Sequence, residues 1–192
     1  MTMVSLMYVL PTVGRESLRR AVRSLADQRS AHDRICIVAN CEEHRLAYVH
    51  GVSERYDTLL VVPRVGPHGD VGGAARNAGL EMKCTTHIAY MDDDDMALPG
   101  AVEAVRVRVA ADPSMLHLFK VCFVPNGALV WTDQEVREGN VSTLGIVHPH
   151  VCTRWDGKRG QDGRFAVEVH KELGHVRFHN HVVAAAWPGE GK

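Results

Sequence analysis

His87-Ile88-Ala89-Tyr90-Met91 runs without a break into Asp92-Asp93-Asp94-Asp95. An apolar run of this length reads as a strand buried on both faces, which leaves the four carboxylates at its C-terminal end. Open α/β sheets bind ligands in the crevice outside the carboxyl ends of their strands, so this is where a ligand is expected. Four adjacent negative charges repel one another. They are tolerated when water solvates them or when a hard divalent cation neutralises them. Mg²⁺ or Mn²⁺ takes carboxylate oxygens and leaves places for phosphate oxygens. The residues alone leave two readings open: a cation-binding element, or a solvated acidic loop with Asp95 near a helix start, where negative charge is favoured.

Outward toward the N-terminus, Ala74 to Met82 has helix-forming composition and Pro63 to Gly73, rich in Gly and Pro, reads as a loop. Thr58 to Val62, Ile35 to Ala39 and Val4 to Leu10 are further short apolar runs. Between them lie helical patterns, one from Glu42 to about Val49 and one in which Leu18, Ala21, Val22 and Leu25 share a face with arginines opposite. Such alternation predicts a parallel sheet flanked by helices. Toward the C-terminus, Pro99 fits the first turn of a helix carrying Ala101, Val102, Val105 and Val109, and Asp112-Pro113 stops it.

From Leu116 the runs become β-rich, Leu116 to Val124 and Ala128 to Thr132. A Gly-, Ser- and Thr-containing stretch to about Arg159 then reads as added strands and an irregular loop. Asp162 to Leu173 has a helical face of Phe165, Ala166, Val169 and Leu173, and Val176 to Trp187 reads as one or two strands. The expected fold class is α/β: one domain over residues 1–192, with a Rossmann-like, mostly parallel sheet in 1–112 and a more β-rich and loop-rich half in 113–192.

With 192 residues, 45% of them apolar, the chain can bury a core of the usual single-domain size. Charged residues make up 23% and cancel to a formal charge of -1, so composition gives no reason to expect nucleic acid or an anionic membrane as partner. The apolar start lacks a basic flank and Pro11 breaks it, so no membrane span is expected and the chain reads as cytoplasmic. Cys36, Cys41, Cys84, Cys122 and Cys152 form no C-x-x-C pair and read as reduced, mostly buried thiols. Twelve histidines concentrate toward the C-terminal end.

Three blocks together resemble the family 2 glycosyltransferases of the GT-A fold. The opening strand with Pro11-Thr12-Val13-Gly14-Arg15 and Leu18 through Gln28 resembles that family's first strand, nucleotide-contacting loop and first helix. Gly72-Gly73-Ala74-Ala75-Arg76-Asn77-Ala78-Gly79 resembles its G-x-x-x-A-R-N-x-G block. His87 to Pro99 resembles the strand with the D-x-D element.

The resemblance implies a donor site shaped by Pro11, Thr12, Arg15, Asn40, Gly73, Arg76, Asp92 and Asp93, with Asp94 as metal ligand. Arg76 would serve as a fixed cation for diphosphate, and Gly73 would allow close backbone approach. Asn40 stands where the family usually has an acidic residue. The resemblance further implies that Asp162 is the catalytic base; the residues themselves also allow a helix N-cap there. Gln161 stands where the family often has a glutamate, and Trp155 lies nearby on the acceptor side. His179 and His181, two apart in a strand, share a face and are candidates to complete the metal shell.

The implied function is inverting transfer of a sugar from a nucleotide-diphosphate donor, a UDP-sugar being favoured, with Mn²⁺ or Mg²⁺. The acceptor hydroxyl could belong to a glycan, a small molecule, a protein or a modified nucleic acid. A nucleotidyltransferase and a non-catalytic nucleotide-sugar or metal-binding module are the alternatives.

Overall fold

The computed structural model describes residues 3–62, 72–124 and 126–187. The first part of the loop expected over Pro63 to Gly73 lies outside them. β1 (Leu6–Thr12), β2 (Arg34–Ala39), β3 (Leu59–Val61) and β4 (His87–Tyr90) pair in parallel in the order β3-β2-β1-β4. Between them run α1 (Leu18–Ala26), α2 (Glu43–Tyr56) and α3 (Gly73–Leu80).

β1 shows why these strands are continuous apolar runs. Leu6, Tyr8 and Leu10 pack into one core with α1, α2 and α4 (Ala101–Ala111), while Met7 and Val9 pack into a second core with α3 and α5 (Gln161–Leu173). A strand covered on both faces has no solvent side on which polar residues could alternate. On α1, Leu18, Ala21, Val22 and Leu25 are fully buried, each larger side chain contributing about 1.5–3 kcal/mol by leaving water.

The second half extends the same sheet. β5 (Met96–Ala97), β6 (Leu116–Phe123), β7 (Ala128–Val130), β8 (Ile146–Pro149) and β9 (Val176–Ala186) complete, among the described residues, a nine-stranded sheet ordered β3-β2-β1-β4-β8-β6-β9-β5, with β7 on β6. β8 lies antiparallel between β4 and β6, inside the stretch expected to hold added strands and an irregular loop. β6 and β9 pair in parallel, and their register shifts after Phe119, where His179 and Val182 are the partners of successive residues.

Three local expectations change. α2 continues well past Val49, to Tyr56. α4 starts at Ala101 with Gly100 as N-cap, so Pro99 precedes the helix. Cys36 is buried, but Cys41 and Cys122 are half-buried and Cys84 and Cys152 exposed; all five are free thiols. No helix among the described residues is long and apolar enough to cross a membrane.

Candidate active site

The parallel register brings the C-terminal ends of β1, β2 and β4 to one edge. Thr12 pairs with Ala39, the Asn40 N–H donates to the Thr12 carbonyl (2.9 Å), and the Met91 N–H donates to the Val9 carbonyl (3.1 Å). Asn40, the loop after Thr12 and the four aspartates therefore meet, as the sequence implied.

The four carboxylates are not equivalent, and their differences explain how they coexist. Asp93 is buried, accepting from the Thr12 hydroxyl (2.6 Å), from the Val13 N–H (3.3 Å) and from Arg15 Nη1 (2.8 Å). It fastens the loop after β1, so Thr12 and Asp93 shape the expected donor site from beneath. Arg15 also donates to Asp94 (3.0 Å), whose carboxyl burial pushes above its usual range while Arg15 pulls it down. Asp92 pairs with Arg76. Asp95 is buried and accepts the Trp187 N–H (2.9 Å); burial first, then the neighbouring Asp92 charge, push it up to about 8. Two arginines and a proton retained at neutral pH thus offset most of the repulsion. Side-chain exposure is 36% for Asp92 and 17% for Asp94 but 5% for Asp93, so Asp92 and Asp94 present the accessible oxygens.

Arg76, expected as a fixed cation, is held within the protein. Its side chain is 5% exposed, engaged with Asp92, and its guanidinium carbon lies 4.9 Å from the Trp155 ring centroid. Trp155, expected on the acceptor side, is buried. It stacks on Phe165 (centroids 4.0 Å) and meets Tyr90 edge-on (5.0 Å), forming the floor under Arg76 and offering no face to an acceptor. Asn77 fixes that floor: its amide nitrogen donates to the Trp155 carbonyl and its oxygen accepts the Trp155 N–H, both at 2.9 Å. The Asn of the A-R-N-x-G block is thus a backbone clamp, a role the sequence reading missed.

A Cβ on Gly73 would sit 2.6 Å from the Gly157 backbone and 2.9 Å from Gln161 Oε1, so this glycine permits a close approach between α3 and the segment leading into α5. Gln161, expected on the acceptor side, is buried at that contact.

Asp162 lies in the first turn of α5, but the N-cap is Gly160. Its Oδ2 accepts the Thr143 N–H (3.2 Å) from the 3₁₀ turn Thr143–Gly145. Burial raises its proton affinity, the Arg76 charge opposes this, and Asp92 adds to it.

The late histidines do not join this group. His179 stacks between His117 (5.2 Å) and Phe119 (4.5 Å), and its Nε2 lies 2.9 Å from His117 Nδ1. The other His117 nitrogen meets the Asp112 carbonyl, which can only accept, so in neutral His117 it is Nε2 that donates and Nδ1 accepts a hydrogen bond from His179 Nε2–H. His179 is therefore committed at the start of β9, whereas the acidic loop meets the strand's far end at Trp187. His181 lies in the part of β9 where the pairing register with β6 shifts. Among the described residues no three His, Cys, Asp or Glu side chains converge on a common cation position.

Residues 8–143 match the family described as glycosyl transferase family 2. The chain belongs to glycosyl transferase family 2. No curated protein matches the sequence. The fold is that of solved structures at low identity. S. aureus TarS 1-349 in complex with UDP-GlcNAc has a TM-score of 0.79 and 15% identity, covering 98% of this chain and 60% of that one. The corresponding UDP complex has a TM-score of 0.78 and 13% identity, with coverage of 96% and 61%. S. aureus TarS 1-349 alone has a TM-score of 0.78 and 14% identity, with coverage of 95% and 60%. This family 2 chain thus spans about three fifths of the length of those structures. The matched segment contains both arginines and all four aspartates of the site; Asp162 follows it.

Proposed function

We propose that this chain carries the catalytic site of a glycosyltransferase that moves a sugar from a nucleoside-diphosphate donor, a UDP-sugar by preference, to an acceptor hydroxyl with inversion. The observation that carries the reading is the meeting of Asp92 and Asp94 with Arg76 and Arg15 at the C-terminal edge of the parallel sheet. Family membership supports sugar transfer, and the UDP and UDP-GlcNAc bound in the TarS structures support the donor class.

Asp92 and Asp94 are hard oxygen donors with accessible edges, which suits Mg²⁺ or Mn²⁺, ions commonly held by one or two carboxylates plus phosphate oxygens. A cation held there would act as a Lewis acid on the charge left with the departing diphosphate. Two carboxylates suffice in that arrangement, since donor oxygens fill the remaining places. Asp94 is the principal ligand in this reading.

Arg15 contacts Asp94 and would exchange part of that contact for the diphosphate. Asn40, at the end of β2, faces the nucleoside, with Pro11 beside it at the end of β1. Arg76 holds Asp92 in place from below. Asp162 accepts the acceptor hydroxyl's proton as the new C–O bond forms and the bond from the anomeric carbon to phosphate breaks.

The test is a panel of nucleotide sugars offered to the full-length protein with and without Mn²⁺, reading melting temperature and sugar release or transfer. A ligand that binds only the folded state raises its stability. UDP-sugars with Mn²⁺ should raise the melting temperature and turn over, and Asp94→Ala should lose both responses. A rise without turnover would make the protein a binder, and no response to any donor would overturn the reading.

A further inference from the structure

The acidic loop is gripped from two elements far from it in sequence. Arg20, on α1, donates from Nη2 to the Asp94 main-chain carbonyl (2.7 Å), and its guanidinium carbon lies 4.7 Å from the centroid of the Trp187 ring. Trp187, just beyond β9, donates its own N–H to Asp95 Oδ1 (2.9 Å). Immediately downstream, the Ala97 N–H donates to Ser24 Oγ on α1 and the Leu98 N–H to the Val183 carbonyl on β9, both at 3.0 Å. The loop thus sits between α1 and the end of β9, with Arg20 and Trp187 touching each other across its base.

Asp93, Asp95 and Ala97 are buried, but the grip on the Asp94 carbonyl comes from an exposed residue of α1. Arg20, Ser24, Met96 and Pro99 line an open groove of about 720 Å³ behind the loop, so on that side the loop backs onto solvent. The Asp94 carbonyl and carboxylate belong to one residue, and fixing the peptide plane on one side limits where the carboxylate can point on the other. A charge-assisted hydrogen bond to that carbonyl, with the donor's plane held on an aromatic face, is a directional restraint of the required kind.

We propose that Arg20 is a positioning residue: clasped on Trp187, it holds the Asp94 main chain so that the carboxylate is preset for a metal-bound nucleoside diphosphate. The proposal rests on the reading of Asp94 as a ligand in that site. Arg20 touches neither donor nor cation and acts through Asp94.

The experiment compares UDP affinity with and without Mn²⁺, by calorimetry, in the parent and in Arg20→Met, Arg20→Lys and Asp94→Asn, alongside melting temperatures. Arg20→Met keeps the aliphatic stem and removes the guanidinium. It should weaken Mn²⁺-dependent UDP binding by roughly tenfold, the order expected for one charge-assisted hydrogen bond. Metal-free UDP binding and the melting temperature should stay close to parental, because Arg20 is a surface residue. Arg20→Lys, which still reaches a carbonyl with a charged donor, should recover most of the loss. A general packing role would lower the melting temperature and both affinities together, and lysine would not restore them.

If Asp94→Asn leaves the Mn²⁺ dependence intact, the reading of the acidic loop fails and the proposal with it. If Asp94→Asn abolishes the dependence while Arg20→Met binds as the parent does, or if lysine fails to rescue, the site stands and the clasp is overturned.

Discussion

At the scale of single residues, Asp162 separates a catalyst from a binder. Gly160 occupies the N-cap and Thr143 supplies a hydrogen bond, so the Asp162 carboxylate does not have to close the helix end. Its remaining structural contribution is a negative charge in the first turn, worth about 0.3–1 kcal/mol, which its burial partly offsets. Asp162→Asn should therefore melt within a few degrees of the parent, and it should bind UDP almost equally, since every donor contact in the proposed site comes from the first half of the chain. Transfer should fall on the order of 10²-fold or more. Steady-state transfer assays beside calorimetric UDP titrations check this, and an unchanged transfer rate would assign the base elsewhere. In the sequence only the family resemblance singled out Asp162; its place in the first turn of a helix was legible from the residues themselves. The fate of Arg76 was not, because an arginine in a G-x-x-x-A-R-N-x-G block reads the same whether it faces a ligand or, as here, is paired and stacked on an indole.

At the scale of elements, α3 shows a helix placed by what its face lacks. A Cβ on Gly79 would approach Val9 Cγ1 to 2.4 Å and Cγ2 to 2.9 Å, and Val9 is fully buried in the middle of β1. Alanine is the better helix former by about 1 kcal/mol, yet inserting a methyl into a packed interface costs about 1–3 kcal/mol. The second effect wins here because the neighbour is a β-branched side chain with little rotamer freedom. Gly79→Ala should thus destabilise the protein by about 1 kcal/mol on balance and, by shifting α3, loosen the Asn77 clamp on Trp155. Urea denaturation measures the first effect, and a variant as stable as the parent would mean that α3 can slide off β1 without loss.

β8 is the contrasting element. Its four residues, Ile146–Pro149, carry a His and a Pro, too short and mixed a run to announce a strand. Its place between β4 and β6 is set by partners from distant parts of the chain. His148 becomes acceptable inside the core only once the Tyr90 hydroxyl donates to its Nε2 (2.8 Å) and the Pro149 carbonyl accepts from its Nδ1 (2.6 Å).

At the scale of the whole molecule, the buried titratable groups define a stability profile against pH. Burial is the largest cause holding His117, His148 and His179 down at about 4, against 6.5 for an unperturbed imidazole. Between those values the unfolded chain binds more protons, so their contribution is complete above pH 6.5 and is lost as pH falls toward 4. Asp95 has the opposite sign: raised from 3.8 to about 8, it favours the folded state at low pH, and that contribution drains away as pH rises through 8. Asp94 and Asp162 share its direction. Three histidines outweigh the carboxylates on the acid side and Asp95 governs the alkaline side, so the metal-free protein should melt highest at about pH 6–7. Thermal melts from acid to mildly alkaline pH test this; a melting temperature still climbing through pH 8 would contradict the Asp95 assignment, and one unchanged as the histidines titrate would contradict theirs.

By itself the sequence determined the alternation of buried strands and amphipathic helices, the parallel first half, and the acidic cluster at a strand end, because doubly covered strands must be apolar and local periodicity reports local structure. Only the tertiary structure decided which aspartates are fastened and which are accessible, that Arg76 and Trp155 form a buried floor, that His179 pairs with His117 far from the cluster, and that Arg20 and Trp187 grip the loop. Each of those outcomes joins residues from different elements. Whether a charged or aromatic side chain meets solvent, a ligand or another side chain depends on what packs over it, and no local pattern of residues records that.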